Sequence, residues 1–183
     1  MDINEFRNGV FSLRTRRFGT VAELMIEALN KFHKSKNQFH DRYDEVNKER
    51  VEIKFSTVMK ENDEKITSGN LIEQVFAANI SNRAITSAEA NKIPFDCNIQ
   101  QIKCAEFDTL YYGCFFADKI AIYKMTSAEV KTAVGYSDKQ HKGNVGEGQF
   151  HLNNKTKEWH NKNHFVQWLG YDELFNLFNK SKV

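Results

Sequence analysis

Glu52 and Lys54 are two residues apart in a stretch where polar and apolar residues alternate, so they could bring a carboxylate and an ammonium group together. In a β-strand, side chains at positions i and i+2 project from the same face. The stretch would therefore place both charged side chains on one face and its apolar side chains on the other, namely Val51, Ile53 and Phe55. This pattern predicts a strand with one face in the core and one face available for chemistry.

A second carboxylate precedes this strand, in the first arm of a predicted β-hairpin. Residues 38–43 and 50–57 both alternate as strands do, and the connecting segment DEVNKE is typical of a turn. With the turn centred in the middle of this connection, Asp41 lies opposite Glu52, with about 4.5–5.5 Å between their Cβ atoms. Asp44 is the alternative partner if the turn is tighter, because a slip of one residue moves every side chain to the other face.

Two carboxylates at this separation repel each other unless a cation lies between them. Mg²⁺ would suit the position, since it binds one or two carboxylates and completes its shell with water and phosphate. Beside such an ion, Lys54 would orient or deprotonate a water molecule, or stabilise charge on a phosphate. These groups together are what the hydrolysis of a phosphodiester requires. The alternative is an exposed strand pair, which contributes about 0.2–1 kcal/mol and has no role in chemistry.

The composition limits the classes of protein to which the chain can belong. Of its 183 residues, 40% are hydrophobic and 27% are charged, which is typical of one soluble globular domain over 1–183. The net charge of +2 provides no overall basic field for nucleic acid.

No apolar run has the length of a signal peptide or a membrane span, which predicts a cytoplasmic protein. The cysteines lack CxxC spacing and are expected to be reduced thiols: Cys97, Cys104 and Cys114.

Periodicity predicts the elements that would position the hairpin. Apolar residues at helical spacing predict a helix over 20–33, another from Asn70, and a last one over YDELFNLFNK. The stretch FDTLYYGCFFADKIAIYKM predicts two strands joined by a tight turn at ADK. Thr126 and Glu129 have the spacing of a capping box at the start of a short helix. The order of elements predicts an α/β (α+β) fold with a mixed central β-sheet flanked by helices.

The segment DRYDEVNKERVEIKFS resembles the core motif of the PD-(D/E)XK nuclease superfamily, in the form found in small type II restriction endonucleases. Two later stretches, NIQQIKCAEFDTLYYGCFFADKIAIYKM and QHKGNVGEGQFHLNN, are also similar to segments of such enzymes. The resemblance implies a restriction-endonuclease-like core and Mg²⁺-dependent, site-specific cleavage of DNA. It also implies that Asp41 and Glu52 bind the metal and that Lys54 assists the attacking water. His40 stands where the motif often has proline, which leaves the choice between Asp41 and Asp44 open.

Glu23, on the predicted helix before the hairpin, has two interpretations. Some members of the superfamily carry an additional glutamate on this helix that reaches the metal shell, and RFGTVAEL is similar to such helices. Alternatively, Glu23 closes a capping box with Thr20, three residues earlier.

The segment 140–164 is rich in side chains that can read DNA. Asn and Gln can form two hydrogen bonds with adenine, Arg and Lys suit guanine, and the glycines of GNVGEG permit a close approach of the backbone. We expect DNA contacts from Gln140, His141, Lys142, Asn144, Gln149, His151, Asn153, Asn154 and Lys155. The alternative is a polar surface hairpin.

The resemblance also implies partners. Double-stranded DNA would be the substrate, a homodimer would match a palindromic site, and a cognate DNA methyltransferase would belong to the same system. No membrane partner is expected. Three other functions remain open: another PD-(D/E)XK enzyme such as a repair nickase or junction resolvase, a DNA-binding protein without catalysis, and an HNH-like nuclease. The last would use four residues of the 140–164 segment: His151, Asn153, His160 and His164.

Overall fold

The computed structural model describes residues 2–60, 64–139 and 145–179. Its helices are α1 (Ile3–Phe11), α2 (Thr15–Asn30), α3 (Leu71–Ala77), α4 (Ile80–Arg83), α5 (Ser127–Val130), α6 (Lys157–His164) and α7 (Tyr171–Asn179), with a 3₁₀ turn at Glu89–Asn91. Its strands are β1 (His33–Lys34), β2 (Arg42–Asp44), β3 (Glu49–Thr57), β4 (Asp96–Ile102), β5 (Thr109–Phe115), β6 (Lys119–Thr126), β7 (Ser137–Lys139), β8 (Val145–Asn153) and β9 (Phe165–Gly170).

The described strands form two sheets. The central sheet has six strands in the order β1-β2-β3-β5-β6-β9, and the second sheet has three in the order β4-β8-β7. In the central sheet β3 and β5 are parallel and the other neighbours are antiparallel. Helices α1, α2 and α7 cover one face, whereas β4, β8 and α6 lie against the other. The predicted mixed central sheet flanked by helices is therefore confirmed.

β5 runs through the middle of the molecule, and all seven of its residues are buried. Tyr112 packs in the core beneath the second sheet, whereas Tyr111 and Phe115 pack in the core beneath the helices. Burial on both faces explains why this stretch of sequence is continuously apolar. A Cβ atom on Gly113 would lie 1.9 Å from the carbonyl oxygen of Ala121, so the pairing of β5 with β6 requires glycine there.

The helix before the hairpin begins five residues earlier than predicted. α2 starts at Thr15, and the hydroxyl of Thr20 donates to the carbonyl of Arg16 within the helix at 3.1 Å. The predicted capping box between Thr20 and Glu23 is therefore wrong, because Thr20 is an interior residue of α2. By contrast, the capping box of Thr126 and Glu129 at the start of α5 is confirmed.

The helix predicted from Asn70 is short and packs little of its apolar face. α3 ends at Ala77, and α4 follows as a separate turn of helix. The large apolar side chains of α3 are between 50% and 74% exposed: Leu71, Ile72, Val75 and Phe76. In the part of the chain that the structure describes, no helix combines the length and apolar character needed to cross a bilayer.

Candidate active site

The β2–β3 hairpin has the predicted register. Arg42 pairs with Val51, so the turn is centred between residues 46 and 47. The last pair of this ladder is Arg42 with Val51, and the next hydrogen bond, from the backbone N–H of Asp41 to the carbonyl of Val51 at 3.1 Å, is one residue off the register. Asp41 and Glu52 nevertheless come together, since both carboxylates lie beside the ammonium of Lys54.

Asp44 lies at the other end of this strand and shapes the turn. It pairs with Glu49, and its carboxylate accepts the backbone N–H groups of Val46 and Asn47 at 2.9 and 3.1 Å. The Asn47 side chain donates to the same carboxylate at 2.7 Å. Burial opposes the ionised form, but these hydrogen bonds outweigh it and lower the pKa of Asp44. The structure does not bring Asp44 to Glu52.

Asp41, Glu52 and Lys54 form one cluster on the hairpin. The ammonium of Lys54 donates to Oε1 of Glu52 and lies 3.9 Å from Oδ2 of Asp41. The same Asp41 oxygen accepts the backbone N–H of Ile53 at 2.9 Å, which fixes its direction. Glu52 is 11% exposed, whereas Lys54 and Asp41 are 25% and 24% exposed. The cluster is thus partly enclosed but open to solvent.

Burial and neighbouring charges shift the pKa values of Glu52 and Lys54. Burial, with a smaller contribution from the charge of Asp41, raises the pKa of Glu52 to about 7, although Lys54 acts in the opposite direction. Burial also disfavours the charged form of Lys54, but the carboxylates of Glu52 and Asp41 outweigh burial and raise its pKa. Lys54 is therefore protonated at neutral pH, while Glu52 exchanges its proton near neutrality. An additional cation between the carboxylates would favour ionised Glu52.

The cluster is accessible because β2 is short. β2 pairs only with residues 49–51, so that, within the described residues, the rest of β3 has no neighbouring strand on this side. A cleft of about 570 Å³ lies along this open edge, between α2 and β4. Its lining includes Arg16, Thr20 and Glu23 from α2, Lys54 and Ser56 from β3, and Asn98, Gln100 and Gln101 from β4.

Glu23 borders the cluster through Arg42. The guanidinium of Arg42 lies 3.1 Å from Oε2 of Glu23 and 2.5 Å from Oε2 of Glu27. Burial raises the pKa of Glu23, and the charge of Asp41 adds to this effect, whereas Arg42 lowers it. Because Glu23 is not part of a capping box, its placement beside Asp41 and Lys54 needs another explanation. No sequence pattern indicated that Arg42 would hold Glu23.

The acidic groups of the cluster fit a hard divalent cation. In the described ranges, no group of three or more His, Cys, Asp or Glu side chains converges as a candidate metal site. Mg²⁺ does not require one, since it keeps several waters and binds proteins through one or two carboxylates. Asp41 and Glu52 are two such carboxylates, and both lie beside the ammonium of Lys54, so a further cation would offset the remaining negative charge.

A second ion pair ties β3 to the residue before β5 and was missed by sequence reasoning. The guanidinium of Arg50 donates to both oxygens of Asp108 at 3.0 and 2.8 Å, and its backbone N–H donates to the same carboxylate at 2.8 Å. These hydrogen bonds lower the pKa of Asp108 to about 2. The two residues are 58 positions apart, so no local pattern could have indicated the pair.

The residues predicted to contact DNA are only partly described. Gln140, His141, Lys142 and Asn144 lie outside the described residues. Of the others, Nδ1 of His151 is 2.7 Å from Asp96, and Gln149 accepts a hydrogen bond from Asn98 at 3.3 Å. Asn153 is the last residue of β8, and its side chain accepts the N–H of Lys155 in the turn that follows.

Asn154 has an internal role. Its side chain accepts the N–H of Phe95 at 3.0 Å and donates to the carbonyl of Ala90 at 2.7 Å. It therefore ties the turn after β8 to the segment before β4. This use of both ends of the amide leaves Asn154 less suited to reading a base than the sequence suggested.

The histidines of this segment do not form one site. His160 is fully buried, stacks on Phe150 with 5.3 Å between ring centroids, and shares a 2.8 Å hydrogen bond between its Nδ1 and the hydroxyl of Tyr112. Burial lowers the pKa of His160 to about 4, with a smaller contribution from His164. His151 follows Phe150 on β8 and therefore projects from the opposite face of the strand. The geometry separates His151 from His160.

The fold and site define a class: a mixed α/β protein with two carboxylates and a lysine at the open edge of its central sheet. Comparisons with models of protein families, with curated proteins and with solved structures found no match for this chain.

Proposed function

We propose that this protein is an Mg²⁺-dependent endodeoxyribonuclease. More specifically, we propose a type II restriction endonuclease with a PD-(D/E)XK core, which cleaves DNA at a short double-stranded recognition sequence. One observation carries the proposal: the ammonium of Lys54 contacts Glu52 and lies near Asp41 at an open strand edge beside a cleft. The mixed sheet and the order of these residues along the hairpin agree with the core motif that the sequence resembles.

We propose different roles for the members of the cluster. Asp41 and Glu52 would hold the metal, which when bound makes water more acidic and neutralises charge on the phosphate. Lys54 keeps its proton, because the neighbouring carboxylates raise its pKa. It would therefore orient the attacking water and stabilise negative charge as a cation, rather than remove a proton. Glu23, held by Arg42, would act from the border of the site.

The substrate would lie along the cleft and contact β8 and its turn. Polar side chains on this part of the chain include Gln149, His151, Asn153 and Lys155, which remain our candidates for contacts with bases and phosphates. We place the activity in the cytoplasm, with a cognate methyltransferase as the partner that would protect host DNA.

We propose a homodimer, because cleavage of both strands needs two clusters and one chain supplies one. The exposed apolar face of α3 is the surface that we test first, since a second copy of this face would shield it from water. Sedimentation should show a dimer for the wild type and a monomer for the double variant Val75→Ser and Phe76→Ser. Val166→Ser, at an exposed position on β9, is the matched control and should leave the dimer intact. A monomeric wild type would contradict the dimer.

The other functions differ in how far the geometry supports them. A repair nickase or junction resolvase would use the same cluster, and differs only in cutting one strand or a branched substrate. An HNH-like site has less support, because His160 is enclosed by aromatic rings and His151 projects elsewhere. A DNA-binding protein without catalysis would bind duplex equally well with and without Mg²⁺.

Digestion of a mixed-sequence plasmid tests the proposal. With Mg²⁺ we expect discrete fragments, and with EDTA an intact plasmid. A smear would indicate a nonspecific nuclease, and a product with one strand cut would indicate a nickase. An intact plasmid under every divalent cation tested, with protein that binds the plasmid, would favour the non-catalytic alternative.

A further inference from the structure

β4 contains a bulge on the wall of the candidate active-site cleft. Ile99 pairs with Phe150 of β8, but the next pair is Ile102 with Gly148. Two residues, Gln100 and Gln101, therefore stand against a single residue of β8. Bulges of this kind re-aim side chains and are frequent beside active sites.

The backbone at this bulge is strained. Gln101 has a φ of 60°, in the left-handed region that glutamine rarely adopts. Glycine would occupy this conformation without the steric cost of a side chain. Both glutamines are exposed, and among the described residues no hydrogen bond holds either side-chain amide. Packing therefore gives no reason for glutamine at position 101.

The two glutamines share one cleft with Lys54 of the candidate catalytic cluster. The lining of the cleft includes Gln100, Gln101 and Asn98 on the β4 side, together with Lys54 and Glu23. The amide nitrogen of Asn98 donates to β8, but its buried Oδ1 has no hydrogen-bond partner within the described part of the chain. A row of amides thus faces the space that a phosphate at Lys54 would share with the adjoining bases.

Amides in such a row have the chemistry to read a base pair. The side chain of Gln offers one donor and one acceptor side by side, which matches the N6 and N7 atoms of adenine in the major groove. We propose that the Gln100–Gln101 bulge reads an A·T pair next to the cleaved phosphate, an inference that rests on the proposed nuclease function. The strain at Gln101 is retained because it directs an amide into the cleft.

The variants Gln100→Ala and Gln101→Gly test this role. Gln101→Gly keeps the bulge and relieves its strain, so the thermal midpoint should stay the same or rise. Gln167→Ala, at an exposed position on β9, is the matched control. The cut ends from a randomised duplex library are sequenced with Mg²⁺ for each protein. At one position near the cut, the wild type and the control should prefer A·T, and each bulge variant should lose about ten-fold of that preference.

The outcomes separate the two proposals. A lost preference at one position, with the thermal midpoint kept, supports base reading by the bulge. An unchanged preference in variants that still cut would overturn it and leave the nuclease proposal standing. Uniformly slower cleavage of all sequences would also overturn it, because the bulge would then only position the cluster. A wild type that cleaves no duplex would overturn both.

Discussion

The hairpin cluster and the buried histidine of α6 both contain ionisable groups whose pKa the fold has shifted. The two regions differ in how easily a substrate can reach these groups. Lys54, which contacts Glu52, lines an open cleft of about 570 Å³. His160 lies among Tyr112, Phe150 and Trp159, with its Nδ1 hydrogen-bonded to the tyrosine. A shifted pKa marks a candidate for catalysis only where a substrate can reach the group. Access, rather than the size of the shift, favours the hairpin.

The electrostatic surroundings of the two regions differ as well. The hairpin concentrates two carboxylates around one ammonium, so it is short of positive charge and would gain from a cation. The surroundings of His160 are apolar and aromatic, so they favour the neutral ring. The first environment suits binding of a metal and a phosphate, and the second suits packing.

The largest expected effect comes from removing the ammonium of the hairpin. Lys54→Ala should lower the rate of plasmid cleavage by about 10²–10³-fold, because charge that develops on the phosphate loses its stabilising partner. Binding of the duplex should change far less. The matched control is Lys124→Ala, on β6 and outside the cleft. Cleavage by Lys54→Ala at the wild-type rate would remove the hairpin as the catalytic region.

Substitutions in the aromatic core should have the reverse effect: they should lower stability and leave cleavage unchanged. His160→Ala leaves a cavity and deprives the Tyr112 hydroxyl of its partner, which should lower the free energy of unfolding by about 3 kcal/mol. Tyr112→Phe removes only the hydroxyl and should cost about 1–2 kcal/mol. Both are measured by urea denaturation. The folded fraction of each variant should cleave at the wild-type rate; a well-folded but inactive Tyr112→Phe variant would give the core a role in chemistry.

The pH dependence of stability should have opposite signs in the two regions. The pKa of His160 is lowered from 6.5 to about 4, so the unfolded chain binds more protons between these values and stability falls as the pH drops through them. The pKa of Glu52 is raised from 4.5 to about 7, so the folded chain binds more protons and stability falls as the pH rises from 4.5 to 7. Each slope is at most about 1.4 kcal/mol per pH unit.

Single variants separate these slopes. Without divalent cations, Glu52→Gln should leave the histidine trend, with stability rising between pH 4 and 6.5. Removing His160 should leave the glutamate trend, with stability falling up to pH 7. Urea denaturation at half-unit steps of pH measures both, and Mg²⁺ should flatten the glutamate trend. If stability changed with pH in the same direction in both variants, the assignment of the two trends to Glu52 and His160 would be contradicted.

The two regions also differ in how well the sequence predicted them. The hairpin was predictable because its signals are local: alternation along the strands and a turn segment of fixed length set the register that pairs Arg42 with Val51 and brings Asp41 near Glu52. The interior position of His160 depends on Tyr112 and Phe150, which come from other elements. No spacing within the 140–164 segment carries that information.

Local sequence patterns gave a wrong start for α2, and a pattern that indicates the bulge in β4 was overlooked. Thr20 and Glu23 have capping-box spacing, but buried Phe18 extends the apolar face of α2 toward its N-terminus and the helix starts at Thr15. The bulge in β4 was detectable, since Ile99 and Ile102 are both buried but three residues apart rather than two. Tertiary packing set the start of α2, whereas the irregular spacing of the two isoleucines indicated the bulge in β4.

The smallest expected effect tests the register of the hairpin itself. Asp44→Ala removes the acceptor of the turn hydrogen bonds, which should lower the free energy of unfolding by about 1 kcal/mol. Because Asp44 opposes Glu49 rather than Glu52, the folded variant should still cleave DNA. Asp41→Asn keeps the shape of the side chain but loses its charge, and should lose cleavage while remaining folded. The reverse pattern, with Asp44→Ala inactive and Asp41→Asn active, would move the metal-binding carboxylate to the turn and contradict the register on which the proposed site depends.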